Sequence, residues 1–378
     1  MYLLEHDAKQ LLARHGIPSP QGCLLTAPDA GSQLPPGPWV VKAQITVGGR
    51  GKAGLIKKAV TANEVAETTA AIIGQQAKGR TVRAVRVEQQ VQGAGEAYIS
   101  MLLDPAAAGV RIIMAAQGGM EIEALPPNAL HMVTVAPEAA TLAAAAEKLA
   151  ASFDGATGKA LAEAGRAMAD AFITTEALLI EINPLFVHND GSWVAGDAKF
   201  VTDDSALPRQ PEQHALLADS NGPYVETALK DTHGCDYVVV DPAGEIALLT
   251  TGAGLSMMLI DEMRAAGLKP YNFLDIRTGG LRGETRRLIS VLQWMHQGPN
   301  VQVMLINVFA GITDLGEFAR LLVSALRDVP EFKVPVVARL AGNGMETART
   351  VLVEAGITLH NDLDAALAEV RGHLKGRK

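Results

Sequence analysis

Two stretches, Glu181-Ile-Asn183-Pro-Leu and Gly196-Asp197-Ala-Lys199-Phe, hold residue types suited to a divalent cation. A turn centred on Asp190 would fold them together, with Asn183 opposite Asp197 and Glu181 opposite Lys199. Positions two apart on a strand share a face, so these four side chains point the same way. Asn183 and Asp197 offer hard oxygens, the ligands that Mg²⁺ takes jointly with phosphate groups. On spacing alone the same set also fits a solvated polar face of an edge hairpin. A second candidate is the loop "TVGGRGKAG", with Lys42 at its base and Arg50 and Lys52 within it. Its glycines let the backbone approach a polyphosphate and its cations offset the charge, although a solvent-exposed hairpin tip has the same composition. Glu88 and Glu96 flank "EQQVQGAGE", where carboxylates could accept ribose hydroxyls or exocyclic amines, or stand as ordinary surface acids. Finally, "VQVMLINVF" runs through Ala310-Gly311 into "DLGEFARLLVSAL". A helix that starts this way aims free N–H groups beyond the end of a buried strand.

The elements that position these groups follow from periodicity. Residues 1–16 predict a helix stopped by Gly16, and "PWVVKAQI" and "LIKKAV" predict strands on either side of the glycine loop. Thr61-x-x-Glu64 has capping-box spacing and opens the next helix. "AVRVEQQV", "EAYISMLL" and "VRIIMAA" predict strands of one antiparallel sheet. Residues 136–177 read as helix broken near "FDGATG". "LLIEINPLFV" and "GSWVAGDAKFV" predict the hairpin, and residues 206–223 a linker. From about residue 236 short apolar strands alternate with helices: "YVVV", "IALLT", "NFLDI", "VMLINVF" and "VPVVARL". That is the grammar of a doubly wound parallel sheet. Glycines follow four of these strands, at the edge where such sheets bind ligands.

The 378 residues allow two or three domains, with 48% hydrophobic and 20% charged content. A net charge of −8 and the lack of a basic run outside the tail argue against nucleic acid. The two cysteines, Cys23 and Cys235, have no metal-type spacing and fit a reducing cytoplasm. The first helix mixes acid and base, unlike a signal peptide, and no apolar run reaches membrane-spanning length, so no membrane partner is expected.

The order "KAQ…GGRGKAG", "VEQQ…GE", "EINPL", "GDAKF", "GAGL", "NFLDI", "INVFAGI" resembles the β subunit of succinyl-CoA synthetase and malate–CoA ligase, along essentially the whole chain. The resemblance implies an α/β protein. An N-terminal ATP-grasp domain (α+β) would span residues 1–226. A C-terminal flavodoxin-like doubly wound sheet, the CoA-ligase domain contacting an α subunit, would span 227–378. It implies catalytic roles for Lys42 and Arg50. It implies nucleotide contacts from Lys42, Gly49, Arg50, Gly51, Glu88, Val91 and Glu96, and Mg²⁺ ligation by Asn183 and Asp197. The implied reaction turns ATP, CoA and a small carboxylic acid into acyl-CoA, ADP and phosphate, through an acyl phosphate and a phosphohistidine. The histidine and the CoA site would belong to the α subunit. Pro20 falls where guanine-selective relatives hydrogen-bond, which favours ATP. The competing readings are a catalytically inactive nucleotide-binding regulatory paralogue, a lone ATP-grasp ligase, and a plain succinyl-CoA or malyl-CoA synthetase subunit.

Departures from the family pattern cluster in the second half. Thr251 stands where the family has Asn before Gly-Ala-Gly. Arg277 and Thr278 replace two glycines of Leu-Asp-Val-Gly-Gly-Gly. Phe309-Ala-Gly311-Ile312-Thr313-Asp314 replaces Phe-Gly-Gly-Ile-Val-Arg. These positions predict an acid site of Thr251, Arg277, Thr278, Gly311, Ile312 and Thr313. Thr313 would lie in the first turn of the following helix, and Arg277 would offer a planar fork for a carboxylate or pair with Asp314.

Overall fold

The structure, a computed structural model, describes residues 1–28, 34–46, 48–77, 80–120, 122, 125–218, 223–281 and 283–375. It divides into two units, Met1–Leu216 and Leu217–Lys378. The first begins with α1 (Glu5–Ala13), β1 (Gly22–Leu25), β2 (Trp39–Ala43), β3 (Ile56–Ala59), α2 (Ala62–Ile72), β4 (Gln76–Ala77), β5 (Arg80–Thr81) and β6 (Val85–Gln89). It continues through β7 (Gly95–Asp104), β8 (Gly109–Ala115), β9 (His131–Val135), α3 (Ala139–Ala150), α4 (Gly155–Thr174), β10 (Ala177–Val187), β11 (Trp193–Ala195), β12 (Lys199–Thr202) and α5 (Pro211–Leu217).

Two antiparallel sheets result. One has the order β1-β6-β2-β3, and the other runs β11-β10-β7-β8-β9 with β12 also on β10. "AVRVEQQV" therefore leaves the sheet expected of it. β6 pairs with β1 and β2, while β7 and β8 pair in the larger sheet, because the turn at Gly93 (φ 67°) lies between two separate cores. The predicted capping box forms: Glu64 N–H donates to Thr61 Oγ1 at 3.2 Å and opens α2, which buries Val65 and Ile72 against the smaller sheet. Much of the predicted linker is α5, entered at Pro211, where a missing N–H costs nothing. Gln213 Nε2 ties it to Thr175 O at 2.8 Å. Residues 219–222 of that linker, and Val47 of the glycine loop, lie outside the described residues.

The second unit runs α6 (Val225–His233), β13 (Asp236–Val239), β14 (Ile246–Thr250), α7 (Ala253–Ala265), β15 (Asn272–Asp275), α8 (Arg286–His296), β16 (Val303–Ala310), α9 (Leu315–Asp328), β17 (Val336–Gly342), α10 (Met345–Glu354), β18 (Thr358–His360) and α11 (Leu363–Lys375). β14, β16, β17 and β18 form a parallel ladder, and β13 pairs antiparallel with β15. The two pieces join through a side chain. Asn272 Nδ2 donates to Leu248 O at 2.8 Å and Leu248 N–H donates to Asn272 Oδ1 at 2.9 Å. Backbone bonds close both ends of this join, Tyr271 N to Ile246 O at 2.8 Å and Ile276 N to Thr250 O at 3.0 Å. The order β15-β14-β16-β17-β18 is the flavodoxin-like 2-1-3-4-5, so the topological switch point lies between β14 and β16. Separate apolar clusters cover the two faces, one holding Leu249, Ile306 and Leu322, the other Leu248, Leu305 and Val370. That is why these strands read as continuous apolar runs. Among the described residues no helix is long and apolar enough to cross a membrane.

Candidate functional site

The register of β10 and β12 sets Glu181 opposite Lys199, and the pairing of Leu185 with Ala195 in β11 keeps the same frame. Asn183 and Asp197 face each other in the gap between these ladders. Proline has no N–H to donate there, yet β10 runs on through Pro184 rather than ending at it. Asn183 Oδ1 accepts from Gly119 N at 2.7 Å and its Nδ2 donates to Met120 O at 2.9 Å. Gly119 adopts φ 75°, a left-handed conformation that favours glycine, where this turn meets Glu96 and Asn183. The Gly118-Gly119 turn in "AAQGGM" is part of the site that sequence reasoning passed over.

Asp197 is held by the glycine loop. Arg50 Nη2 donates to Asp197 Oδ1 at 2.8 Å and to Oδ2 at 2.7 Å. Ala198 N–H adds a bond to Oδ1 at 2.8 Å. The other arm of Arg50 reaches Glu5 Oε2 at 2.7 Å and Ala43 O at 3.0 Å. Within the loop Ala53 N bonds Gly49 O, and Gly54 N bonds Gly51 O, so Gly49 and Gly51 sit in the turns that carry Arg50.

Behind Arg50 lies a buried charge network. Lys42 Nζ donates to Glu88 at 2.5 Å, to Glu5 Oε1 at 2.9 Å and to Gly196 O at 2.6 Å. Lys9 Nζ reaches Glu5 at 2.7 Å, Glu88 at 2.8 Å and Gly196 O at 2.8 Å. Arg86 Nε adds a third cation to Glu88 at 2.8 Å. Gly196 must be glycine, because a Cβ would lie 2.4 Å from the Phe186 ring. Burial pushes the Glu5 carboxyl up, but Lys42, Lys9 and Arg50 outweigh it and hold it well below the ordinary value. Burial pushes Lys42 down, and Glu5, Glu88 and Asp197 outweigh that and raise it. Glu88 is lowered on the same terms, with Lys9 and Lys42 outweighing burial. Burial wins at Lys9, which is lowered.

The structure thus joins Lys42, Arg50, Glu88, Asn183 and Asp197, which the sequence singled out. The Glu88 side chain is turned inward at 2% exposure, committed to three cations rather than to solvent. Val91, half-buried, follows directly where Gln90 N bonds Pro38 O at 2.8 Å. Glu5 and Lys9 were read only as part of an amphipathic helix. Their sole signal was an i,i+4 Glu–Lys pair, which is ordinary on any helix surface.

In the second unit, Thr251 follows β14 and its hydroxyl clamps β16: it accepts from Phe309 N and donates to Phe309 O, both at 3.2 Å. Thr278 and Thr313 hydroxyls meet at 3.1 Å. Arg277 (φ 50°) pairs with Asp236 at 2.5 Å, not with Asp314, and Asp236 also takes Lys230 at 3.0 Å. Asp314 is occupied as the N-cap of α9, accepting from Glu317 N at 2.8 Å. Thr313 therefore precedes the helix instead of standing in its first turn. Gly311 and Ile312 form the exposed bend between β16 and that cap.

Residues 2–187 match the model of the ATP-grasp domain, and residues 249–371 that of CoA-ligase. The succinate–CoA ligase [ADP-forming] β subunit of Chloroflexus aurantiacus is 38% identical, over 99% of this chain and all of that protein. The chain belongs to the β-subunit family of the succinate– and malate–CoA ligases. It is an ATP-dependent acid–CoA ligase subunit. The GDP-forming succinate–CoA ligase β subunit of Thermus thermophilus is 36% identical over 98% of each chain. The probable malate–CoA ligase β subunit of Mesorhizobium japonicum is 34% identical over 94% of this chain and 93% of that one. Among solved structures, ATP citrate lyase from Methanothrix soehngenii shares the fold with a TM-score of 0.70 at 19% identity, covering 95% of each chain.

Proposed function

We propose that this chain is the nucleotide-activating β subunit of an ADP-forming acid–CoA ligase, working with an α subunit that carries the phosphohistidine and the CoA site. The observation that carries the reading is the Arg50–Asp197 fork, which brings the glycine loop and the hairpin together across 147 positions of sequence. Lys42 and Arg50 are the cations that meet the nucleotide phosphates, with the backbone of Gly49 and Gly51 beside them. Glu96 and the segment from Glu88 to Val91 flank the nucleotide. Pro20 offers no side-chain donor or acceptor to a guanine edge, so the preferred nucleotide is ATP.

The residues present fit a Mg²⁺ ion. Asn183 Oδ1 has a second lone pair beyond its bond to Gly119. Asp197 is about one-third exposed, and its carboxylate accepts from one side chain, Arg50, and from Ala198 N–H. No group of three or more His, Cys, Asp or Glu side chains able to hold a metal occurs among the described residues, so phosphate oxygens complete the ligand set. When bound, the ion neutralises charge on the transferring phosphoryl group. The chain's own residues orient the nucleotide and exclude water. Asp197→Ala in the complex with the α subunit is expected to lower ADP formation by orders of magnitude with folding intact; near-normal turnover at ordinary Mg²⁺ would overturn the assignment.

The acid meets Gly311, Ile312, Thr313, Thr278 and Thr251. Thr251 acts through the main chain of Phe309, and Arg277 contributes charge shared with Asp236. The Thr278–Thr313 hydroxyl pair replaces apolar or glycine positions of the family, which favours a hydroxylated or otherwise polar-substituted carboxylate over plain succinate. A site built to hydrogen-bond a substituent rejects analogues lacking it, because its own groups are left unpaired. In a panel of acids, Thr313→Val is expected to cost the preferred acid about tenfold relative to succinate. Succinate as the best wild-type substrate, with a ranking unmoved by Thr313→Val and Arg277→Gly, would refute it.

A further inference from the structure

Glu5 is buried at 3% exposure among cations, and core packing gives no reason for it. A buried ion network of this kind is weak evidence for stability, since an apolar side chain of similar volume would often do as well. What distinguishes Glu5 is the pair of segments it joins. Its Oε1 takes Lys42 Nζ at 2.9 Å, from β2, and its Oε2 takes Arg50 Nη1 at 2.7 Å, from the glycine loop. The other carboxylates each hold one of the two: Glu88 bonds Lys42, and Asp197 bonds Arg50. Lys9, one turn along α1, bonds both Glu5 and Glu88 and so fixes the Glu5 rotamer from behind.

We infer that Glu5 is a positioning residue: one carboxylate on the N-terminal helix sets the spacing and aim of the Lys42 ammonium and the Arg50 guanidinium toward the nucleotide phosphates. The inference rests on the roles given to Lys42 and Arg50 above. The two bonds of Arg50 differ in burial. The Asp197 carboxylate is about one-third exposed and can exchange partners, whereas the Glu5 carboxylate is 1% exposed. When Asp197 turns to another ligand, Glu5 retains Nη1 and leaves Nη2 directed outward. Charge-assisted bonds of this type are shorter and stronger than neutral ones, and two of them on one carboxylate hold both cations in place.

The test is MgATP binding to the full chain by calorimetry across pH. Glu5→Gln keeps the shape and removes the charge. Its expected Kd is raised about tenfold or more, and the alkaline limb of binding moves to lower pH, because Lys42 loses its strongest carboxylate partner. A folded Glu5→Gln chain with wild-type Kd and an unmoved alkaline limb would overturn the inference. Glu5→Asp keeps the charge and withdraws it by one methylene. It is expected to weaken binding with the alkaline limb in place, a split that loss of folding alone would not produce, and wild-type affinity in this variant also counts against positioning. Lys42→Met separates the two readings. If it loses MgATP while both Glu5 variants bind normally, the positioning role alone fails. If it binds MgATP normally, the nucleotide role of Lys42 fails and the positioning role with it.

Discussion

At the residue scale the network mixes groups that titrate with opposite consequences. Glu5 and Glu88 lie below the ordinary value of 4.5, so the unfolded chain takes up their protons first as pH falls. Their contribution to stability is present above pH 4.5 and is lost as pH falls through the folded values. Lys42 lies above its ordinary 10.5, so its contribution is complete below that pH and is lost as pH rises through the folded value. Burial lowers Lys9 against the pull of Glu5 and Glu88. Lys9 is nevertheless bonded to both carboxylates, and removing one partner of a buried network leaves the others uncompensated. Lys9→Met is therefore expected to destabilise the chain by roughly 3–5 kcal/mol near pH 7. The gap from wild type should shrink as pH falls below 4.5, because Glu5 and Glu88, short of a cation in the variant, take up protons more readily there than in the wild type. Urea denaturation at the two pH values reads both effects, and a gap that widens in acid would contradict the account.

At the element scale, two strands that share no continuous ladder are bridged at their middle by one amide, with backbone bonds at either end. Asn272 is fully buried and supplies both a donor and an acceptor to Leu248. Asn272→Leu would bury an unpaired N–H and an unpaired C=O at about 1–3 kcal/mol each. A loss of roughly 2–5 kcal/mol is expected in thermal or urea unfolding, against about 1 kcal/mol for Asp314→Ala, which removes only the cap of α9. This join marks where sequence reading stopped. The strands of the second unit were legible because both faces are buried and each reads as an apolar run. Alternation with helices made a doubly wound parallel sheet legible, while its flavodoxin-like order rested on the family resemblance. A side chain standing in for backbone pairing was not, since an Asn before "FLDI" looks like any strand entry. The hairpin frame was legible because a two-residue period and one turn fix every pair along it. Glu5 and Lys9 were not, since burial of an i,i+4 pair depends on Lys42, Glu88 and Gly196, all more than thirty positions later. Thr313 was misplaced by one turn for a local reason: Asp314-x-x-Glu317 has capping spacing and outcompetes Gly311 as the helix start.

At the scale of the whole molecule, the division of chemistry between two subunits is open to direct test. An acyl phosphate route through phosphohistidine requires an imidazole that can reach the nucleotide site and then the acid site. Among the histidines of this chain, His6 bonds Arg86, and His15 pairs with Asp170 on the first unit. His233 packs edge-on against Trp294 with ring centroids 5.0 Å apart, and burial together with Arg286 and Arg287 lowers its pKa. His360 bonds Glu369. None of them stands in the loops that follow β14, β15 or β16, where the acid site is proposed. That edge instead exposes Phe309, near the end of β16, at 45% and Ile312, in the loop after it, fully. A partner that covers this edge would supply the imidazole and bury those side chains together. The isolated chain should then bind MgATP without becoming phosphorylated. Adding the α subunit should produce an acid-labile, base-stable phosphohistidine on that subunit, discharged by acid and CoA. Radiolabelled ATP followed by separation of the two chains reads this directly. Stoichiometric label on this chain, at His233 for example, would require the acyl transfer to be self-contained, and the two-subunit reading would fall.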